Sequence, residues 1–198
     1  MDTSRRLMIV SVVTILLLGS CKTNRKGDQD DTSPKSDTAR FYPLVAYFKE
    51  QIKYVDLRNF ILKKTITTNS GKSVVIINKN DFIHDANIVL KLAGQWELNK
   101  KSYKENVFQD LSTASYTINY TAINEHIPLQ RIDLLLNQET NIIKRIFIRE
   151  NQSINDTVIT RVISWNTDHG FQINTSKTIE GKTSTISETV NFLKQDGQ

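Results

Sequence analysis

The chain contains a single cysteine, Cys21, among its 198 residues. One thiol cannot form a disulfide within the chain, so the stability of the folded part must come from packing alone. A catalytic role for Cys21 would require a paired histidine and a groove. The sequence therefore excludes the small disulfide-stapled folds and gives no support to a cysteine-dependent enzyme.

Glycine and the motifs of common enzymes are also scarce. The chain has seven glycines, one of them in the apolar N-terminal stretch, which leaves little material for phosphate-binding loops. Neither the Gly-x-Ser-x-Gly nor the Ser-x-x-Lys pattern of serine nucleophiles occurs, and the His-Glu-x-x-His pattern of zinc proteases is absent. No reaction class is indicated by motif.

The chain lacks an apolar run long enough to span a membrane. The one continuous run, residues 7–18, falls well short of the roughly 20 residues that a transmembrane helix needs. Arg5 and Arg6 precede it and a strongly polar segment follows, an order typical of a secretory signal peptide over residues 1–20. An uncleaved anchor and a core helix are the two alternatives.

The end of this segment carries the most specific motif in the chain. Leu18-Gly19-Ser20-Cys21 resembles the lipobox of bacterial lipoproteins at all four positions. The resemblance implies that Cys21 is lipidated on sulfur and becomes the first residue of the mature chain. It also implies a lipid-anchored protein of the cell envelope, at the outer membrane, with its periplasmic or surface face left open. Two or three acyl chains would hold such a protein durably at a bilayer.

Residues 21–40 comprise Cys21 and a polar stretch that is predicted to be a disordered tether, because it has almost no apolar side chains to bury. The acidic run at 28–31 is similar to a surface-export signal, although Lys22, Arg25 and Lys26 precede it, and a solvated spacer is the alternative.

The formal net charge is +5. Lysine and arginine are nevertheless spread along the chain with no nucleic-acid motif, so we expect no nucleic-acid partner.

Residues 41–198 are predicted to form one domain. Helical spacing indicates a helix over 43–55, and β-rich runs at 60–68 and 73–78 flank a loop containing Gly71, as in a hairpin. A second helix is expected from a cap at Asn80 to a glycine end at Gly94. A polar loop, with at most a short helical turn, is expected at 97–106.

In the rest of the chain, apolar residues mostly alternate with polar ones, a period of two. This alternation predicts about six long strands joined by short turns, at 115–122, 131–136, 142–149, 157–165, 171–180 and 183–192. The fold class is therefore α+β: two helices and a hairpin, then a long antiparallel meander that forms a curved sheet. The element order is similar to cystatin-like and NTF2-like domains and to the half-barrels of lipoprotein-sorting proteins, which does not fix a function.

Three histidines offer the only candidate chemistry outside Cys21. Asp81, His84 and Asp85 would share one side of the second helix, where a metal is conceivable, but acidic residues also suit a helix N-terminus. His126 and His169 lie in predicted turns, where turn geometry explains them. We therefore predict no metal, no cofactor and no catalytic residue.

The predicted strands carry apolar groups on both faces. Residues 134–136 and 146–148 place such groups on alternate sides, and two helices can cover only one side. We therefore predict an apolar ligand or an envelope protein as partner, with candidate contacts at Leu135, Phe147, Trp165 and Trp96. An accessory subunit of an envelope complex and a hydrolase are the alternatives. The segment 95–106, with Trp96 and Tyr103, is a possible cover for the second face.

Overall fold

The computed structural model describes residues 41–194, and within them it has the predicted α+β architecture: two helices and one nine-stranded antiparallel sheet, curved and unclosed. The predicted signal peptide, Cys21 and the predicted tether all lie outside the described residues. The elements, numbered in chain order, are α1 Leu44–Asp56, β1 Phe60–Thr68, β2 Gly71–Ile77, α2 Lys79–Leu98, β3 Tyr103–Asp110, β4 Ser115–Ala122, β5 Leu129–Asn137, β6 Ile143–Ile154, β7 Thr157–Asn166, β8 Gly170–Ile179 and β9 Lys182–Lys194.

The strand order is β2-β1-β9-β8-β7-β6-β5-β4-β3, and every neighbouring pair is antiparallel. Strands β3 to β9 form a meander, and β1 adds the N-terminal hairpin beside the last strand. Helix α2 leads from β2 at one edge to β3 at the other. A flat sheet of nine strands would be about 38 Å wide, whereas the 20 residues of α2 span about 30 Å. Curling of the sheet brings its two edges closer together, so that α2 can connect them.

Both helices pack through apolar stripes. Leu44, Phe48 and Val55 of α1 are buried. Helix α2 buries one residue per turn along its length, at Phe82, Ala86, Val89, Leu92, Ala93 and Trp96. Its N-cap is Asn78, whose side chain accepts a hydrogen bond from the Asp81 backbone N–H, so the expected cap at Asn80 was two residues late. The expected end at Gly94 was also wrong, because burial of Trp96 continues the helix to Leu98.

The expected loop at 97–106 is instead the end of α2, a 3₁₀ turn at Lys100–Ser102 and the start of β3. Strand β3 lies at the edge of the sheet, and Tyr103 is its one buried residue. An edge strand of this kind is held by backbone pairing with β4, so its sequence shows little alternation. Seven strands, and not six, therefore follow α2.

The register assigns each side chain to a face. Leu134 pairs with Ile146, and Ile132 with Ile148, and all four are buried on the inner face, which the helices cover. The same face continues through Trp165, Phe171, Val190, Phe192 and Leu62 into β1. The opposite, outer face carries Leu135 and Phe147. One face of the sheet thus supplies the core.

Candidate ligand-binding cleft

The two tryptophans among the predicted ligand contacts are core residues. Neither Trp96 nor Trp165 has exposed surface. The Trp165 ring stacks on Phe171, with 5.1 Å between ring centroids, and Trp96 lies 4.8 Å from the Tyr120 ring. Trp96 projects from α2 into the core, and Trp165 lies on the inner face against Phe48 of α1, so neither shares a surface with the outer face, where Leu135 and Phe147 lie. Tyr103 and Trp96 also pack in the core rather than over that outer face.

The described part of the molecule has an open cleft on the inner face, at the side of α2. Its volume is about 220 Å³. Helix α2 supplies one wall, and the neighbouring strands β1, β9, β8 and β7 supply the floor and the opposite rim. The lining residues are Lys64, His84, Asp85, Ile88, Arg161, Phe171, Ile173, Thr175, Glu188 and Val190.

The floor of the cleft is apolar because it continues the core. Phe171 is paired with Val190 across β8 and β9, and both belong to the buried cluster. Ile173 follows on the same face, and Ile88 faces it from the helix side. Beyond Ile173 the same face of β8 becomes polar at Thr175. A ligand in the cleft would meet an apolar surface that becomes polar toward one end.

Lys64 forms one charged rim and ties α2 to the sheet. Its Nζ lies 2.7 Å from Asp85 Oδ2 and 3.0 Å from Glu188 Oε1, and the side chain is 14% exposed. Burial lowers the pKa of Lys64, but hydrogen bonds and attraction from Asp85 and Glu188 outweigh burial and raise the pKa above its usual value. The ammonium is therefore held in its charged form between the two carboxylates.

Arg161 and Glu150 form the second charged group. Glu150 is 3% exposed and accepts hydrogen bonds from Arg161 Nη1 and, at 2.6 Å, from Gln152 Nε2. Glu150 faces Arg161 across β6 and β7 on the inner face. The Nε–H of Arg161 is buried and has no hydrogen-bond partner among the described residues. A buried donor of this kind gains free energy when a ligand oxygen pairs with it.

The histidines lie on three different elements. His84 is on α2 at the rim of the cleft, His126 is in the β4–β5 connection, and His169 is in the β7–β8 turn. The cleft joins His84 to Asp85 and Glu188, but both carboxylates bind Lys64. Among residues 41–194 no three metal-ligating side chains come together. Over that range, too, no helix combines the length and apolarity that crossing a membrane requires.

Sequence reasoning singled out His84 and Asp85 but missed Lys64, Arg161 and Glu188 of the cleft, and it missed Glu150, which pairs with Arg161. Three of the missed charges occupy positions where the alternation of a strand calls for an apolar residue. Lys64 lies two residues after Leu62, Glu150 lies two residues after Ile148, and Arg161 lies two residues before Ile163. A charge at such a position must be paired or must serve a ligand.

Comparison of this chain with protein-family models, with curated proteins and with solved structures finds no match, so its function is inferred from the cleft itself.

Proposed function

We propose that this chain is a non-catalytic, lipid-anchored envelope protein that binds a small amphipathic ligand in the inner-face cleft. The observation that carries the proposal is an apolar surface, formed by Phe171 and Ile173 of the floor and Ile88 of the helix wall, that adjoins the charged residues Arg161 and Lys64. An apolar pocket with a few convergent polar groups is the usual form of a small-molecule site.

The cleft favours a ligand whose polar head accepts a hydrogen bond, because Lys64 and Arg161 are already paired with carboxylates while one buried N–H of Arg161 has no partner among the described residues. The unpartnered Nε–H of Arg161 is a donor for a carboxylate, phosphate or sulfonate oxygen, while the apolar part would rest on Ile173 and Phe171. A volume of about 220 Å³ lies below the ~300–1,000 Å³ of drug-sized pockets. We therefore expect a small ligand, or the head of a longer one.

Binding of 8-anilinonaphthalene-1-sulfonate, which joins an apolar ring system to a sulfonate, tests the cleft. We expect saturable fluorescence enhancement with the unsubstituted chain and its loss in Thr175→Trp, where the indole would fill the polar end of the cleft. Ser176→Trp, one residue away on the opposite face of β8, is the matched control and should bind the dye normally. Equal dye binding by the two variants would contradict the proposal. Native mass spectrometry with envelope lipid extract then searches for the natural ligand.

The anchor is supported by the lipobox-like Leu18-Gly19-Ser20-Cys21 and by the polar stretch that follows it. Cys21→Ser removes the sulfur that would carry the lipid, so this variant should leave the membrane fraction or remain unprocessed. Membrane fractionation beside the unsubstituted chain measures this. Retention of the variant in the membrane as firmly as the unsubstituted chain would show that the anchor is not a lipid on Cys21.

A second candidate function, an accessory subunit of an envelope complex, is favoured by the edges of the sheet. Strand β2 exposes Val74, Val75 and Ile76, and β3 exposes Val107 and Phe108. Open strand edges with apolar side chains are ready to pair with another chain. Val75→Lys should then weaken a complex isolated from the envelope while leaving dye binding in the cleft unchanged. An unaltered complex would count against this role for β2.

A further inference from the structure

The outer face of the sheet carries a row of cationic and aromatic side chains on β6. Arg145, Phe147 and Arg149 alternate with Ile146 and Ile148, which are buried on the inner face. The register places Arg131 of β5 directly opposite Arg149 on the outer face. We refer to Arg131, Arg145, Phe147 and Arg149 as the outer Arg–Phe row.

The charges of this row are only partly compensated. Asp133 accepts hydrogen bonds at 3.0 and 2.9 Å from Arg131 Nε, and Arg145 Nε donates to the side-chain oxygen of Asn166. Arg149 has no ion-pair partner among residues 41–194. Like charges directly opposite each other in a sheet are destabilising. A bound anion would relieve the repulsion between Arg131 and Arg149.

The row also presents an aromatic ring between its cations. Phe147 is 36% exposed, and the Arg145 guanidinium lies 5.4 Å from the centre of its ring. Shallow hollows of about 250 and 460 Å³ lie on this face, the first lined by residues including Arg131, Arg149 and Val162 and the second by residues including Leu135, Lys144 and Arg145. Each hollow thus combines basic side chains with apolar ones.

We propose that the outer Arg–Phe row docks on an anionic phospholipid surface. Guanidinium groups pair with phosphate oxygens in a forked geometry, and phenylalanine is among the apolar side chains by which surface-bound segments enter the boundary between headgroups and acyl chains. Each basic residue near an anionic surface contributes modestly, so the row orients a domain that is already held at the bilayer. The inference rests on the lipid anchor of the proposed function and is independent of the ligand cleft.

Hydroxyl-radical footprinting of the full lipidated chain on vesicles tests this proposal, with oxidation of Phe147 as the readout. Vesicles of phosphatidylcholine are compared with vesicles containing phosphatidylglycerol. Oxidation of Phe147 should fall about threefold or more on the anionic vesicles, while exposed Leu57 and Leu98, which lie at the ends of helices, keep their rates. High salt should reverse the protection, because it screens exposed charges.

Paired variants complete the test. Arg145→Gln with Arg149→Gln should abolish the protection of Phe147. The control variant, Lys53→Gln with Lys91→Gln, removes the same amount of charge from exposed positions on the helices and should leave Phe147 protected. Equal oxidation on both vesicle types, or protection that survives the arginine double variant, would overturn the proposal. Recovery of the chain free of vesicles would refute the anchor instead, and dye binding reports separately on the cleft.

Discussion

At the scale of single residues, two glycines have opposite roles. Gly170 begins β8 with φ +141°, and a Cβ atom built there would lie 2.0 Å from the Val190 carbonyl oxygen. Gly94 lies inside α2, where an added Cβ meets no atom within 4 Å. The first glycine permits a close approach of two strands, whereas the second only adds backbone freedom to a helix.

Gly170→Ala should therefore destabilise the fold by about 3 kcal/mol, since the backbone of β9 must move to accept the methyl group. Gly94→Ala should stabilise it by about 1 kcal/mol, because alanine is the better helix former. Urea unfolding of both variants measures the two changes. A Gly170→Ala variant as stable as the unsubstituted chain would show that the β8–β9 contact yields easily.

The residue scale is also where sequence reasoning was least complete. It selected Trp96 and Trp165 for their size, but size favours the core as much as a ligand site, and the packing of helices on the sheet, which buries both side chains, is set by tertiary structure. It missed Arg161 and Glu188 because each looks like an ordinary surface charge until strand pairing gives the face. The local sequence pattern does not show which side chains of α2 and of four different strands meet in the cleft.

At the scale of elements, local pattern was far more informative. Strands β4, β5, β7, β8 and β9 lie within two residues of their expected bounds, because period-two alternation is strong wherever one face is buried. Strand β6 runs further than expected, to Ile154, and turns at Asn155, which adopts φ 52°. Strand β3 escaped notice because an edge strand needs no buried row of side chains.

The start of α2 gives an element-scale prediction. The side chain of Asn78 accepts the Asp81 N–H at 2.9 Å, so Asn78→Ala should cost about 1 kcal/mol of stability. Asn80→Ala, inside the first turn, should change stability by much less. Thermal unfolding of the two variants compares them directly. Equal losses would mean that the cap contributes little to the helix.

At the scale of the whole molecule, buried tyrosines connect distant parts of the chain. The Tyr47 hydroxyl of α1 lies 2.7 Å from Thr167 Oγ1 in the β7–β8 turn, and the Tyr103 hydroxyl donates to the Leu129 carbonyl oxygen. The Tyr120 hydroxyl of β4 accepts the Tyr42 N–H ahead of α1. Helices and sheet are joined by neutral phenols as well as by apolar contacts.

These tyrosines predict a loss of stability in alkali. Burial raises the pKa of Tyr47 and of Tyr103 to about 12, against about 10 in an unfolded chain. The folded state therefore holds these protons more tightly, so the contribution of the two tyrosines to stability is constant below about pH 10 and falls as the pH rises toward 12. Urea unfolding across this range should show the decline, and Tyr47→Phe with Tyr103→Phe should make it shallower, while the raised pKa of Lys64 leaves part of the decline in place. An unchanged slope in the double variant would refute this origin.

The pairing of β1 with β9 has a consequence for how the chain acquires its structure. Strands β3 to β9 join neighbours in sequence, so their hairpins can form early, from local encounters. Strand β1 meets its second partner only through pairs such as Phe60 with Lys194, at opposite ends of the domain. The first hairpin therefore cannot complete its pairing until the last strand of the domain is present, and an isolated hairpin is marginally stable in water. The integrity of this end of the sheet therefore depends on contacts between the two ends of the domain in sequence.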